Sequence, residues 1–522
     1  MANKIEALKA EKDGLAVKAE IQRFAEIGWE AIDDDDLQHR LKWLGVFFRK
    51  STPGRFMVRM RIPNGLLTSD QMRVLASVVE KCGEQHGVAD ITTRQNIQIR
   101  SFPIEDVPEM FEKFRSVGLT SVQSAMDNIR NITGSPVAGI DANELYDTRE
   151  LAIQVQNLLT NNGQGNPAFT NLPRKFNIAI AGCRDNSTHA EINDLAFVPA
   201  FKEESKETFG FNVLVGGFFS AKRIAAAIPL NVWVAPEDVV ALCEALLIVY
   251  RDNGLRDNRA KSRLMFLIDE WGIEKFRAEV EKQMGKPLAI AALKDEIEWE
   301  KRDHIGVHPQ KQAGLNYVGI QIPVGRMYAA DMYEFARLAD IYGNGDMRLT
   351  VEQNLIITNV SDRFVPILLK EPLLQKFPAC PDNLLRGLVS CTGSQFCPVA
   401  IVETKNRSLV LTKQLSEAYD VPQVVRIHWS GCPNSCAQPQ VADIGFTGCK
   451  TRKDGKVVDG VDIYMGGTVG KDAHLGTCVM EKVPCEDLYE VVGKLLVDRF
   501  GAVAKASHGK AIADPAELIS VS

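Results

Sequence analysis

Several features that would place a protein quickly are missing from this chain. There is no excess of charge of one sign: 61 lysines and arginines stand against 67 aspartates and glutamates, a net charge of -6, so nothing in the bulk composition favours nucleic acid. There is no long apolar run. The longest, "VVALCEALLIVY" from Val239 to Tyr250, is interrupted by Glu244 and is shorter than the roughly 20 residues a membrane span needs. The first residues, "MANKIEALKAEKDGLAVKAE", have neither the apolar core of a signal peptide nor the acid-poor character of a transit peptide, which predicts a cytoplasmic or a mature protein. No G-x-G-x-x-G opens a strand-turn-helix unit, which disfavours a pyridine-nucleotide enzyme, and the length leaves no room for a flavin domain. The 11 cysteines are odd in number and follow no secretory signal, which disfavours a disulfide framework.

What is present is a repeat. The segment "GRFMVRMRIPNG" (Gly54 to Gly65) matches "GLNYVGIQIPVG" (Gly314 to Gly325), and "TTRQNIQI" from Thr92 matches "TVEQNLII" from Thr350. Further on, Cys183 falls on Cys432, Asp194 on Asp443, and "FNVLVGG" ending at Gly217 on "VDIYMGG" ending at Gly467. Two homologous halves with pseudo-twofold symmetry follow. Each holds a strand-helix-strand unit and then a larger α/β unit, and the two small units are predicted to pair across the pseudo-axis into one ferredoxin-like sheet. The fold class is α+β. The copies also differ: Arg59 and Arg94 of the first face Gly319 and Glu352 of the second, so the basic groups belong to one half.

Strand periodicity sharpens this. In "FMVRMRI", Met57, Arg59 and Arg61 share one face; in "ITTRQNIQIR", read as one strand, Thr92, Arg94, Asn96, Gln98 and Arg100 line another; in "RKFNIAIAGC", Lys175 and Asn177 are neighbours. Three such faces carrying arginine, lysine and amides but no carboxylate point to an anion site.

Seven cysteines are isolated and read as small buried hydrophobes. The other four form pairs, Cys391 and Cys397 in "SCTGSQFCPVA" and Cys432 and Cys436 in "HWSGCPNSCAQPQ". The C-x5-C and C-x3-C spacings depart from the C-x2-C knuckle of structural zinc, and four thiolates between glycines and prolines suit a 4Fe-4S cluster. Ser187 stands where the first half would need its match to Cys436, so only the second half can hold a cluster.

With these motifs in place, the chain resembles the siroheme-containing nitrite and sulfite reductases, and among them the ferredoxin-dependent nitrite-reducing branch of cyanobacteria and plastids, from "LKWLGVFFRK" to "DIYMGGTVG". The resemblance implies that Cys391, Cys397, Cys432 and Cys436 hold the cluster and that Cys436 also bridges to the siroheme iron. Siroheme carries eight carboxylates, which accounts for the cationic faces. The resemblance makes Thr92, Arg94 and Gln98, Arg174 of "LPRK", and Lys261 and Arg263 of "NRAKSR" siroheme-binding candidates. It places the substrate at Arg59, Arg130, Lys175 and Asn177, with Lys175 as the proton-relay group and the arginines acting by charge.

The implied division is an N-terminal helical arm (1–50), a first ferredoxin-like half-repeat (51–135), a siroheme-binding α/β unit (136–310), a second half-repeat (311–390) and an α/β unit carrying the cluster (391–522). The activity implied is six-electron reduction of nitrite to ammonia by a monomer fed by ferredoxin, in the cytoplasm or, for a plastid protein, the stroma. Ferredoxin-dependent sulfite reduction is the rival; that branch typically has a second lysine at the position of Asn177. The basic turn "KTRKDGK", with Lys450, Arg452, Lys453 and Lys456, is a candidate docking surface for an acidic ferredoxin.

Overall fold

The chain folds twice along the same path, and then crosses over. The computed structural model describes residues 3–83, 86–203 and 206–505. In the first half, strands Val46–Phe48, Phe56–Arg59, Ile97–Phe102 and Val88–Ile91 lie antiparallel in that order; in the second, Gly306–Pro309, Leu315–Ile320, Leu355–Ser361 and Asp346–Leu349 repeat the arrangement. The two do not merge into one sheet, as the sequence reading expects. Each instead donates its next short strand to the other: Arg326–Met327 pairs with Val88–Ile91, and Leu66–Thr68 with Asp346–Leu349, giving two five-stranded sheets.

The exchange has a local cause. The equivalent turns Pro63–Gly65 and Pro323–Gly325 each place two successive residues at positive φ, Asn64 (56°) with Gly65 (69°) and Val324 (49°) with Gly325 (72°). That bend throws the chain across the pseudo-axis. The glycines are needed for space as well as for conformation: a Cβ on Gly65 would stand 2.4 Å from the Leu349 carbonyl oxygen, and one on Gly325 2.6 Å from that of Ile91. Each contact is with the other half's strand.

Helices Ser69–Lys81 and Ala329–Tyr342 follow the exchanged strands and pack on one another. Their apolar faces (Met72, Leu75, Ala76 and Val79; Met332, Phe335, Ala336 and Ala339) meet both sheets in one continuous core, which Val17, Ile21 and Phe24 of the N-terminal helical segments also enter. The α+β class, the pseudo-twofold repeat and a single central domain therefore hold. The larger units repeat too. Strands Thr133–Gly134, Ile178–Ile180, Leu195–Phe201, Phe209–Val215 and Ile228–Val234 have the same order and directions as Leu388–Ser390, Ile427–Ser430, Ile444–Lys453, Lys456–Met465 and Thr477–Pro484. Among the described residues no helix is long and apolar enough to cross a membrane.

If the glycine at the crossing is required by the neighbouring strand, Gly325→Ala lowers stability by about 1–3 kcal/mol. Gly455→Ala, at a turn with a similar positive φ and open space around the missing Cβ, costs about 1 kcal/mol or less. Parallel urea melts followed by circular dichroism compare them; equal losses would mean that the close approach is not a constraint.

Candidate functional site

The segment read as one long polar strand is a hairpin. Val88–Ile91 and Ile97–Phe102 pair antiparallel, and Thr92–Asn96 is the loop between them, with Gln95 at φ 52°. The alternation thus holds for Gln98 and Arg100 but not for Thr92, Arg94 and Asn96. The loop is pinned along its length: the Gln95 amide donates to the Gly134 carbonyl at 2.8 Å and accepts from the Gly134 N–H at 3.0 Å, Asn96 donates to the Met60 carbonyl at 3.0 Å, and Asn131 donates to the Arg94 carbonyl at 2.8 Å. Thr92 donates to the Asn96 side chain and accepts from the Arg94 N–H. With its backbone fixed, Arg94 turns its side chain into a cavity.

That cavity is lined by Arg49, Arg59, Arg94 and Arg130, by Thr92 and Gln98, and by all four paired cysteines. Arg59 ends its strand opposite Gln98. Its guanidinium lies 4.9 Å from the Phe47 ring centre, and that of Arg49 lies 5.1 Å from the same ring, so one aromatic face steadies two cations. Arg130 donates to the carbonyls of Ser124 (2.8 Å) and Met126 (3.0 Å), and its Nε is buried without a partner. Arg61, predicted to share the face of Arg59, is instead buried beneath the site. It donates to the carbonyls of Gln123, Ile129 and Arg130 and to Gln156, and so pins the loop that carries Arg130.

The remaining sequence candidates do not line this cavity. Lys175 is half-buried beside it, within the field of Arg263, Arg94 and Arg174, and makes no hydrogen bond or ion pair among the described residues. Asn177 gives its backbone N–H to Asp194 at 2.8 Å, and its side-chain oxygen is buried without a partner. Arg263 is committed to the same Asp194 through two bonds, of 3.0 and 2.6 Å. Arg174 lies 3.9 Å from Asp127, which Arg259 grips bidentately, and Lys261 is exposed.

The cations carry the electrostatic signature of the site. Burial, then repulsion from Arg94 and Arg49, pushes Arg59 down to about 9. Burial, then Arg59 and Arg94, holds Arg130 well below the usual arginine range, and burial with Arg263 and Arg94 does the same to the Lys175 ammonium. Arg94 is lowered chiefly by burial. Among the described residues, Arg49, Arg59, Arg94, Arg130 and Lys175 form no ion pair with a carboxylate. Buried positive charge without a counter-charge is costly, and a polyanion would relieve it.

The cysteines arrive by topology. Leu388–Ser390 and Ile427–Ser430 are neighbouring parallel strands, with Ser390 opposite Trp429, so the loops carrying Cys391 and Cys432 leave the sheet side by side. The Gly431 N–H donates to Cys391 Sγ at 3.2 Å, Asn434 to Cys432 Sγ at 3.5 Å, and Thr93 to the Cys436 carbonyl at 3.0 Å. Burial, then Cys436, pushes the Cys391 thiol up to about 12, and Cys432 moves the same way, so the set needs cationic partners to ionise. Among the described residues no three cysteine, histidine or acidic side chains converge on one point, as a single zinc ion would require. Sulfurs spread around a cavity suit a cluster in which each takes a different iron. In the first half Cys183 is buried against Ser135 at 3.2 Å and Ser187 is buried, so no counterpart set forms.

Sequence reasoning missed Arg49 and Phe47, misplaced Arg61, and missed a buried knot next to the cysteines. Asp90 receives Arg100 (2.9 Å) and Arg326 (3.0 Å) and lies 3.6 Å from Lys405. Burial alone would raise the Asp90 carboxyl, but Lys405, Arg326 and Arg100 together hold it well below the usual range. The "KTRKDGK" turn closes a long hairpin, where Lys450 pairs with Asp459 and Lys453 with Glu486 and Asp487. Much of its predicted basic character is therefore neutralised.

Comparison with known proteins agrees with this architecture. A family model for the nitrite and sulphite reductase 4Fe-4S domain matches residues 125–288 and 382–498, and one for the nitrite/sulfite reductase ferredoxin-like half domain matches 48–117 and 308–374. The ferredoxin–nitrite reductase of Leptolyngbya laminosa is 63% identical over 504 residues, covering 96% of this chain and 98% of that one. The chloroplastic ferredoxin–nitrite reductase of Zea mays is 53% identical over 517 residues, covering 96% and 90%. The solved structure of the Mycobacterium tuberculosis NirA protein superimposes with a TM-score of 0.88 at 30% identity, covering 98% of this chain and 95% of that one.

The knot at Asp90 gives a direct test. Asp90→Asn leaves three buried cations without their charge partner, and stability falls by about 3–5 kcal/mol. The measurement is the thermal unfolding of the wild type and the variant at matched cofactor content; a change within about 1 kcal/mol would mean that the charge is dispensable.

Proposed function

Because the chain belongs to the nitrite and sulphite reductase family, we propose that it takes electrons one at a time from reduced ferredoxin and reduces nitrite to ammonia. Nitrite, six electrons and eight protons give ammonium and two waters. The relatives at 63% and 53% identity are named nitrite reductases, which favours nitrite over sulfite. The observation that carries the reading is the group of buried cations without carboxylate partners, facing four thiols across one cavity.

Siroheme and the 4Fe-4S cluster, when bound, supply the iron at which nitrogen is reduced and the one-electron relay that feeds it. Cys391, Cys397, Cys432 and Cys436 would hold the cluster, and Cys436, exposed in the described chain, would also serve the haem. Thr92, Arg94, Gln98 and Arg174 would bind the macrocycle's carboxylates, and the exposed Lys261 would add a further cation. Arg263, through Asp194, orients Asn177, whose N–H that aspartate accepts.

Arg59 and Arg130 draw the substrate anion in and stabilise charge on its oxygens, and as arginines they keep their protons. Lys175 differs. Its proton is held weakly by burial and like charge, and an anion arriving beside it strengthens that hold. Substrate entry therefore loads Lys175 with a proton that it can pass on as oxygen leaves. Asn177 adds a hydrogen-bonding amide without charge, which suits a monoanion. A monomer is the simplest assembly for this scheme. We place it in the cytoplasm of a cyanobacterium, or in the stroma if it is a plastid protein, on the strength of the two kinds of relative.

Anaerobic turnover with reduced ferredoxin, with nitrite and sulfite each as sole acceptor, tests the reading: kcat/KM is higher for nitrite, and the reverse order would sink it. Asn177→Lys, at matched siroheme occupancy, raises the sulfite-to-nitrite ratio of kcat/KM by about tenfold, the equivalent of one charge contact worth roughly 1.4 kcal/mol; an unchanged ratio would show that Asn177 does not set the choice. Lys175→Met lowers nitrite turnover by about 100-fold or more and leaves siroheme absorbance intact. Loss of the pigment together with activity would make Lys175 a cofactor ligand instead of a proton donor.

A further inference from the structure

The repeat gives the buried knot at Asp90 a symmetry image, and that image lines a cationic groove. Arg348, five residues before Gln353 of the Gln353–Asn354 pair that matches Gln95–Asn96, stands at the position of Asp90 by the 258-residue offset of the repeat. Helix Arg149–Thr160 packs on the Pro63–Gly65 turn as helix Lys405–Ala418 packs on Pro323–Gly325, and Arg149 and Lys405 are the first residues of those helices. In the cofactor half, the pair of positions holds an anion and a cation, Asp90 and Lys405. In the other half it holds two cations, Arg348 and Arg149, and the carboxylate is gone.

The groove is lined by Arg61, Arg149 and Arg348, with Gln156, Asn157 and Asp346. Arg348 is only 4% exposed, donates one bond, to the Met347 carbonyl at 3.1 Å, and has a buried Nε with no partner. Among the described residues it has no carboxylate in salt-bridge range. Asp346 lies two residues away on the same strand face and receives a bond from Asn344 at 3.0 Å. Arg149 is half-exposed and paired with Asp147 at 2.6 Å, and among the described residues its other terminal nitrogen has no hydrogen-bond partner. Burial pushes Arg348 down to about 10, the same mark of an unanswered charge that the cofactor side carries.

We propose that this groove, between the exchanged strand Leu66–Thr68 and helix Arg149–Thr160, is a binding site for a small doubly charged oxyanion of the phosphate and sulfate type. Arg348 is its anchor: the guanidinium fork presents Nε and a terminal nitrogen to two oxygens of one anion. Arg149 closes on it from the solvent side, and the amides of Gln156 and Asn157 are the neutral donors at its edge. The assignment is independent of the nitrite reading, since neither Arg348 nor Arg149 belongs to the cavity with the cysteines.

The test is calorimetric titration of inorganic phosphate, and separately of sulfate, into the holoenzyme at constant ionic strength, with saturating nitrite to occupy the cofactor-side cations. Wild type takes up about one equivalent; Arg348→Met weakens binding by about tenfold or more and leaves nitrite turnover unchanged. Arg149→Gln, at a half-exposed position that tolerates change, weakens it severalfold and carries the test if Arg348→Met does not fold. Absence of uptake by wild type up to about 10 mM of either ion, or equal affinity in wild type and the foldable variant, would overturn the proposal.

Discussion

The structure is organised around like charges held close together out of water. Two unit charges about 8 Å apart repel by roughly 2 kcal/mol even at an effective dielectric of about 20; Arg49, Arg59, Arg94 and Arg130 line one cavity with Lys175 beside it, and the carboxylate on its wall, Asp90, is taken up by Arg100, Arg326 and Lys405. Such a group does not assemble from flexible side chains. It is held by parts with no charge of their own to answer it: the Phe47 ring under two guanidiniums, the Ser124 and Met126 carbonyls under a third, and the pinned 92–96 loop behind Arg94. Arg61 takes on the same task one layer down, giving both terminal nitrogens to the loop that presents Arg130 and its Nε to Gln156. The strain is bearable because the cationic side comes from one half of the chain and the thiols from the other, and the strand exchange locks those halves into a single core.

Much of this was legible in the sequence because duplication supplies its own control. Comparing the copies separated residues kept for the fold, such as the Asp194 and Asp443 pair, from those kept by one half. The structure shows what that aspartate does in both: it accepts the backbone N–H of the equivalent strand residue, Asn177 or Arg426. The divergence then lies in the side chains. Arg426 pairs with its own aspartate, whereas in the first half Arg263 takes that role and the strand position is free to be an amide.

What was not legible has specific causes. A polar alternation over Thr92–Asn96 looks the same in a strand and in a tight loop, and the residue at positive φ is Gln95, not a glycine that would have announced a turn. Period two put Arg61 beside Arg59, but the strand ends at Arg59, and beyond it the period carries no information. The roles of Arg174, Arg263, Lys450 and Lys453 depend on carboxylates that only the folded chain brings within reach, among them Asp127, Asp194 and Asp487. Single-sequence reading counts charges but does not see which are already answered. The strand exchange was hidden because each donated segment is only two or three residues long, below the length at which periodicity speaks.

The same comparison shows where the second half departs from the first at the cofactor side. Glu352 occupies the place of Arg94, and it is not idle: Lys301 pairs with it, and His189 Nε2 lies 3.4 Å from it. Burial works against its ionisation, but Lys301 and His189 hold the carboxyl well below its usual range. His189 in turn meets Gln438 at 2.6 Å. These two are repeat counterparts, 249 positions apart, so their contact marks the pseudo-axis itself. On one side of that axis the positive charge of Arg94 is left open; on the other the equivalent position holds an acid that has its own internal partners. With Glu352 paired to Lys301 and close to His189, this position offers a polyanionic macrocycle no open positive charge. The asymmetry at the cofactor thus rests on one pair of positions: Glu352 is answered from within the chain, and Arg94 leaves the answer to a ligand.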